Sequence, residues 1–144
     1  MATNDATHGD LRAVKEVIGK AGKLLDLTRP VALLFAGCLH HILDSEDPAG
    51  IVARYLAVLA PGSFLVISHS TSDFSPEKMG ANAAVADQSG TVLVPRSKEA
   101  ILGMFNGRDL VDPGLVLVSY WRPEGGDPGP DADKAWVYGG VATV

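Results

Sequence analysis

Residues 31–69, VALLFAGCLHHILDSEDPAGIVARYLAVLAPGSFLVISH, decide the fold. Val31–Cys38 is an unbroken apolar run without alternation, the pattern of a strand covered on both faces, and Arg29-Pro30 before it breaks any helical continuation. Asp47-Pro48 marks a helix start, because the aspartate oxygen accepts from a free backbone N–H of the first turn and proline lacks an N–H where none is needed. Ile51, Val52, Tyr55, Leu56 and Leu59 fall on one face of that helix. Pro61-Gly62 ends it, and Phe64–Ile67 follows as a second apolar strand. Strand, helix and strand over 31–68 make a βαβ unit with parallel strands and a right-handed crossover.

On the amino-terminal side, Asp10 precedes Leu11, Val14, Val17, Ile18, Ala21, Leu24 and Leu25. Their steps of three and four predict a helix over 11–25, although Gly19 and Gly22 each cost about 1 kcal/mol relative to alanine. On the carboxyl-terminal side, Ser75-Pro76 predicts a helix to about Gln88, stopped by Gly90. Thr91–Val94 reads as a short extended piece. Ser97 caps a further helix that carries Ile101, Leu102, Met104 and Phe105 and is closed by Asn106-Gly107. Residues 115–121 and 135–144 are two β-type segments, and RPEGGDPGPDADK (122–134) between them is a long hairpin connection without regular structure. The order implies an α/β sheet, parallel in its first half and ending in an antiparallel pair.

The 144 residues suit one domain, with 1–9 as a flexible start and 10–144 as the folded unit. A net charge of −5 with no local basic patch argues against nucleic-acid binding, since it would repel a phosphate backbone. Cys38 is the only cysteine and reads as buried packing, so no intramolecular disulfide forms. The start MATNDATHGD lacks a signal pattern, and no apolar run reaches the roughly 18 residues of a membrane span. A cytoplasmic location without membrane attachment is the expectation.

Ligands of open α/β sheets bind beyond the carboxyl ends of the strands, which directs attention to the loops after Cys38 and Ile67. The first contains His40 and His41, the second His69. A zinc site built from Cys38, His40, His41 and His69 is disfavoured because adjacent histidines on a strand point to opposite faces, so no metal is expected. No serine lies in a G-x-S-x-G elbow, which argues against a serine hydrolase. No G-x-G-x-x-G or P-loop pattern is present, and Gly125-Gly126 and Gly139-Gly140 sit in the wrong contexts for a phosphate cradle. The plain structural alternative is that one of His40 and His41 packs under the following helix while the other lies in a solvated loop.

The longer run 26–69, together with Pro113-Gly114-Leu115, Trp121-Arg122-Pro123 and Trp136-Val137-Tyr138-Gly139-Gly140, resembles the actinobacterial group of S-adenosylmethionine-dependent methyltransferases with the class I Rossmann-like fold. The likeness extends from about His8 to Val144. It implies an α/β three-layer sandwich of which this chain is the carboxyl-terminal half, with 31–38 as the fourth strand and a terminal antiparallel hairpin. Gly9–Arg12 would end the third strand. By that resemblance Asp10 and Leu11 touch the adenine of S-adenosylmethionine, and Ala36, Gly37, Cys38, Leu39 and His40 line the floor beside its methionine part. His69, Ser70 and the loop to Asp73 face a small-molecule acceptor, and His40 or His69 is the candidate base for its proton. In such enzymes a first strand with a glycine-rich loop and a second strand with a ribose-binding acid precede the position of Asp10, where this sequence has nine residues. The resemblance therefore implies a methyltransferase fragment or truncated member. The alternative is a non-catalytic α/β module that dimerises through residues 31–38 as an exposed edge strand.

Overall fold

The computed structural model describes residues 5–144. Its regular elements are α1 (Val14–Ala21), β1 (Ala32–Ala36), α2 (Pro48–Leu56), β2 (Phe64–Ser70), α3 (Pro76–Gln88), α4 (Lys98–Gly103), β3 (Val116–Leu117) and β4 (Val137–Thr143). β1 and β2 pair in parallel from Ala32↔Phe64 to Ala36↔Ser68, as the βαβ reading requires. β4 runs antiparallel to β2 and to β3, giving the sheet order β1-β2-β4-β3. This is the carboxyl-terminal half of the α/β architecture that the resemblance implies. No helix among the described residues is long and apolar enough to cross a membrane.

Capping chemistry sets α2 as read from the sequence. The Asp47 side chain accepts from the Gly50 N–H at 2.9 Å, and Pro48 occupies the first turn. A Cβ at Gly50 would overlap the Asp47 carboxylate and displace it from this capping position. Ile51, Val52, Tyr55 and Leu56 are buried, and Tyr55 meets Phe35 of β1 edge-on with ring centroids 5.4 Å apart. Leu65 and Ile67 of β2, together with Ile101, Met104 and Phe105, complete the core on that face of the sheet.

Several expectations are corrected. The strand at 31–38 is not covered on both faces: Phe35 is buried, but Leu34 on the opposite face is 59% exposed and Phe64 beside it is 43% exposed. The reason is one-sided packing, since α2, Ile101–Phe105 and the apolar residues of α1 all join the core on the Phe35 face. The helix expected over 11–25 spans only Val14–Ala21, ending at Gly22, whose N–H bonds to Ile18 O. Gly9–Arg12 has no partner in the sheet and forms a turn in which Asp10 accepts from the Arg12 N–H. Ser75 precedes α3, but its hydroxyl makes no capping bond. Of the segment 115–121 only Val116–Leu117 is strand. Beyond it Ser119 donates to Ala132 O at 2.6 Å and Tyr120 to Asp133 at 2.7 Å, so the folded-back connection draws these residues away from the ladder. That connection also contains short 3-10 turns at Glu124–Gly126 and Ala132–Lys134. Of the stretch 1–9, residues 1–4 lie outside the described residues and 5–9 contain neither helix nor strand.

Candidate functional site

β1 ends at Ala36, and the chain turns at Gly37, whose φ of 63° is the left-handed region that favours glycine. The Gly37 N–H is held by Ser68, through its carbonyl at 3.2 Å and its hydroxyl at 3.0 Å. A 3-10 turn follows at Leu39–His41, with Leu39 and Ile42 fully buried as its anchors. Three histidines converge here: the rings of His40 and His41 lie 4.5 Å apart and those of His40 and His69 5.5 Å apart.

Arg96 organises this end of the sheet. It is 6% exposed, and its guanidinium donates to Leu39 O, Ile42 O, Asp44 Oδ1 and His69 Nε2. The segment before it supplies two further ties, since Val92 O meets His41 Nδ1 at 2.5 Å and the Val94 N–H donates to His40 O at 2.7 Å. Residues 92, 94 and 96 thus grip the histidine turn at successive alternate positions, as an extended chain of period two allows. Sequence reasoning found the extended piece at 91–94 but missed Arg96. A lone arginine in VPRS carries no local mark of burial, which arginine rarely reaches without partners.

The hydrogen bonds assign each ring. A carbonyl only accepts and a guanidinium only donates, so His69 carries its proton on Nδ1 toward Ser70 O at 2.7 Å and accepts from Arg96 at Nε2, 3.0 Å away. His40 accepts from the Ser70 N–H at Nδ1, which places its proton on Nε2 in the neutral ring. Burial pushes the pKa of both down to about 4. For His40 the nearby His41 and Arg96 add to the effect; for His69 the Ser70 bond opposes it and Arg96 adds to it. The expectation that His69 faces an acceptor as a base is therefore corrected: it is fully buried and its lone pair is taken by Arg96. His40 is half-buried at the surface, but its lone pair is likewise engaged.

Of the residues expected at a cofactor, Asp10 is tied through charged links to the segment that follows the histidine turn. Asp10 pairs with Arg12 at 3.1 Å, Arg12 pairs with Glu46 at 2.6 Å, and Glu46 accepts from the Leu43 N–H at 2.8 Å. The Arg12 backbone and side chain hold the Asp10 carboxyl below its usual range. Leu11 O accepts from the Tyr55 hydroxyl at 2.9 Å. Ala36 is exposed, Gly37 and Cys38 are half-buried, and burial pushes the Cys38 thiol up. The Asp10 carboxylate and the Gly37 N–H, two polar groups expected at a cofactor, already have partners within the chain. No group of three or more histidine, cysteine, aspartate or glutamate residues forms a metal site among the described residues.

The sheet, with a polar cluster at the carboxyl ends of its two parallel strands, is of the Rossmann-like α/β class. The chain belongs to the S-adenosyl methyltransferase family, whose profile matches residues 2–144. Among solved structures it is similar to a DUF574 family protein from Streptomyces avermitilis at 33% identity and a TM-score of 0.87, over 94% of this chain and 53% of that one. A candidate methyltransferase from Thermobifida fusca is 25% identical with a TM-score of 0.82, over 94% and 52%. An O-methyltransferase family 2 protein from Planctomyces limnophilus, 18% identical with a TM-score of 0.57 over 94% and 34%, shares the fold. The chain thus spans about half the length of the first two. No protein of curated function matches it.

Proposed function

We propose that this chain forms the acceptor-side half of an S-adenosylmethionine-dependent methyltransferase and that tight cofactor binding needs the half it does not span. The observation that carries the reading is that 94% of the chain superposes on 53% of the Streptomyces structure at a TM-score of 0.87. The cofactor supplies a methyl group on a positive sulfonium, already a good electrophile, so the protein's main task is positioning. In this reading Ala36, Gly37 and Cys38 form the floor, with the fully buried Leu39 beneath it rather than in it as expected, Asp10 and Leu11 form an edge, and His40 stands at the mouth toward a small-molecule acceptor. Titration calorimetry of the chain with S-adenosylmethionine tests it. No saturable binding at micromolar concentration is expected, and a micromolar Kd would overturn the need for a second half.

One observation favours a second reading. In β1, Ala32, Leu34 and Ala36 alternate with the residues bonded to β2, so their backbone groups face an open edge, and the strand has no proline, charge or bulge to block pairing. In this reading the chain is a non-catalytic module that dimerises antiparallel through β1. Light scattering at twice the 15.0 kDa monomer mass, abolished by Leu34→Lys, supports it; a monomer at all concentrations refutes it.

A further inference from the structure

The hydrogen-bond pattern leaves two unlike ring nitrogens at the mouth of the site. His41 directs Nδ1 at Val92 O, and a carbonyl cannot donate, so the proton sits on Nδ1 and the Nε2 lone pair is free on an exposed ring. His40 is the reverse case, with Nδ1 accepting from Ser70 and its proton on Nε2. Trp121 Nε1 is the single buried side-chain nitrogen or oxygen left unpaired among the described residues, so the unpartnered Nε2–H of His40 is solvent-accessible. His69 offers neither group, being buried and bonded at both nitrogens.

We propose that His41 is the proton-accepting group of this site and that His40, 4.5 Å away ring to ring, is a hydrogen-bond donor to the same ligand. The inference rests on the methyltransferase reading for its chemical purpose and names the ligand class: a small molecule with an ionisable O–H or N–H. In the step, the ligand proton passes to the lone pair of His41 Nε2. The ring becomes an imidazolium whose Nδ1–H stays on Val92 O, and the ligand oxygen or nitrogen keeps the electron pair as a nucleophile. His40 Nε2–H then donates to the oxygen or nitrogen on which that charge develops. The segment 92–96 fixes the His41 ring through Val92 O and the His40 backbone through the Val94 N–H, and the Ser70 N–H holds the His40 ring.

The test needs no cofactor, so its failure is separable from failure of the methyltransferase reading, which calorimetry decides. Long-range nitrogen–proton NMR at neutral pH reads the tautomers directly. The expected result is protonated Nδ1 with bare Nε2 for His41 and the opposite for His40. Diethylpyrocarbonate, which acylates a free imidazole lone pair, supplies a chemical readout through peptide mapping. His41 is expected to react about tenfold faster than His40, with His69 modified only on unfolding. Exposed His8 serves as the internal reference. Equal rates for His40 and His41, or a bare Nε2 on His40, overturn the proposal.

Discussion

Replacing Arg96 by methionine keeps most of its aliphatic bulk and removes the guanidinium, isolating the donors that hold the histidine turn. The loss is unequal among the partners. Asp44 is 81% exposed at its side chain and is rehydrated, so its share is under about 1 kcal/mol. Ile42 O and His69 Nε2 belong to residues no more than 1% exposed, and each, left without a donor, costs about 1–3 kcal/mol, whereas Leu39 O keeps the Ile42 N–H. Water entering the vacated space recovers part of this, which puts the expected destabilisation at about 2–4 kcal/mol. Against a total of about 5–15 kcal/mol for a domain, this is a large fraction. In urea unfolding followed by circular dichroism, it corresponds to a midpoint lowered by about 1–2 M at an unchanged slope near roughly 2 kcal/mol per M. Asp44→Asn, the control, should shift the midpoint by less than about a quarter of that. An Arg96→Met variant within about 1 kcal/mol of the parent would show that the turn is held by the apolar anchors Leu39 and Ile42, and the account of Arg96 would fail.

Acid sensitivity follows from His69, whose folded pKa of about 4 lies below the ordinary 6.5. As pH falls through that window the unfolded chain binds the proton and the folded chain does not, so stability is complete above 6.5 and declines toward 4. The loss due to His69 is about 3 kcal/mol; His40 adds a smaller, solvent-screened amount, and a stability profile flat between those pH values would contradict this. Gly140→Ala would place a Cβ 3.1 Å from Phe105 Cζ and 3.4 Å from Leu115 Cδ1, both on buried residues, and should cost about 1–3 kcal/mol in thermal unfolding. Gly139→Ala meets Val118, which is 40% exposed and free to move, so the smaller shift in Tm is expected there. Asp47 combines a cap with a φ of 55°, so Asp47→Ala should lose about 1–2 kcal/mol while Asp47→Asn, which tolerates that backbone and still accepts, stays near the parent in chemical denaturation.

Local chemistry was legible where one or two residues suffice to decide it. Asp47-Pro48, Ser97 and Pro61-Gly62 mark element ends whatever lies around them, and α2, α3 and α4 start where such signals stand. The parallel pairing of β1 with β2 followed from two apolar runs joined by a helix of the right length. The short β3 was not legible, because LVLVSYW has the same strand pattern whether or not Ser119 and Tyr120 find partners in 132–133.

The histidines divide in the same way. Sequence by itself placed His40, His41 and His69 at the carboxyl ends of the parallel strands, because strand direction and loop position follow from chain order. Only the tertiary structure decided what each can do, since a ring's free nitrogen is determined by what its other nitrogen touches. Those contacts are Val92 on His41, Ser70 on His40 and Arg96 on His69, each at least 27 positions along the chain from the ring it holds. The same holds for Leu34, which is apolar in the sequence whether its face is covered or open. Its exposure depends on which side of the sheet the helices pack, and a strand buried on one face and a strand buried on both can share one apolar run.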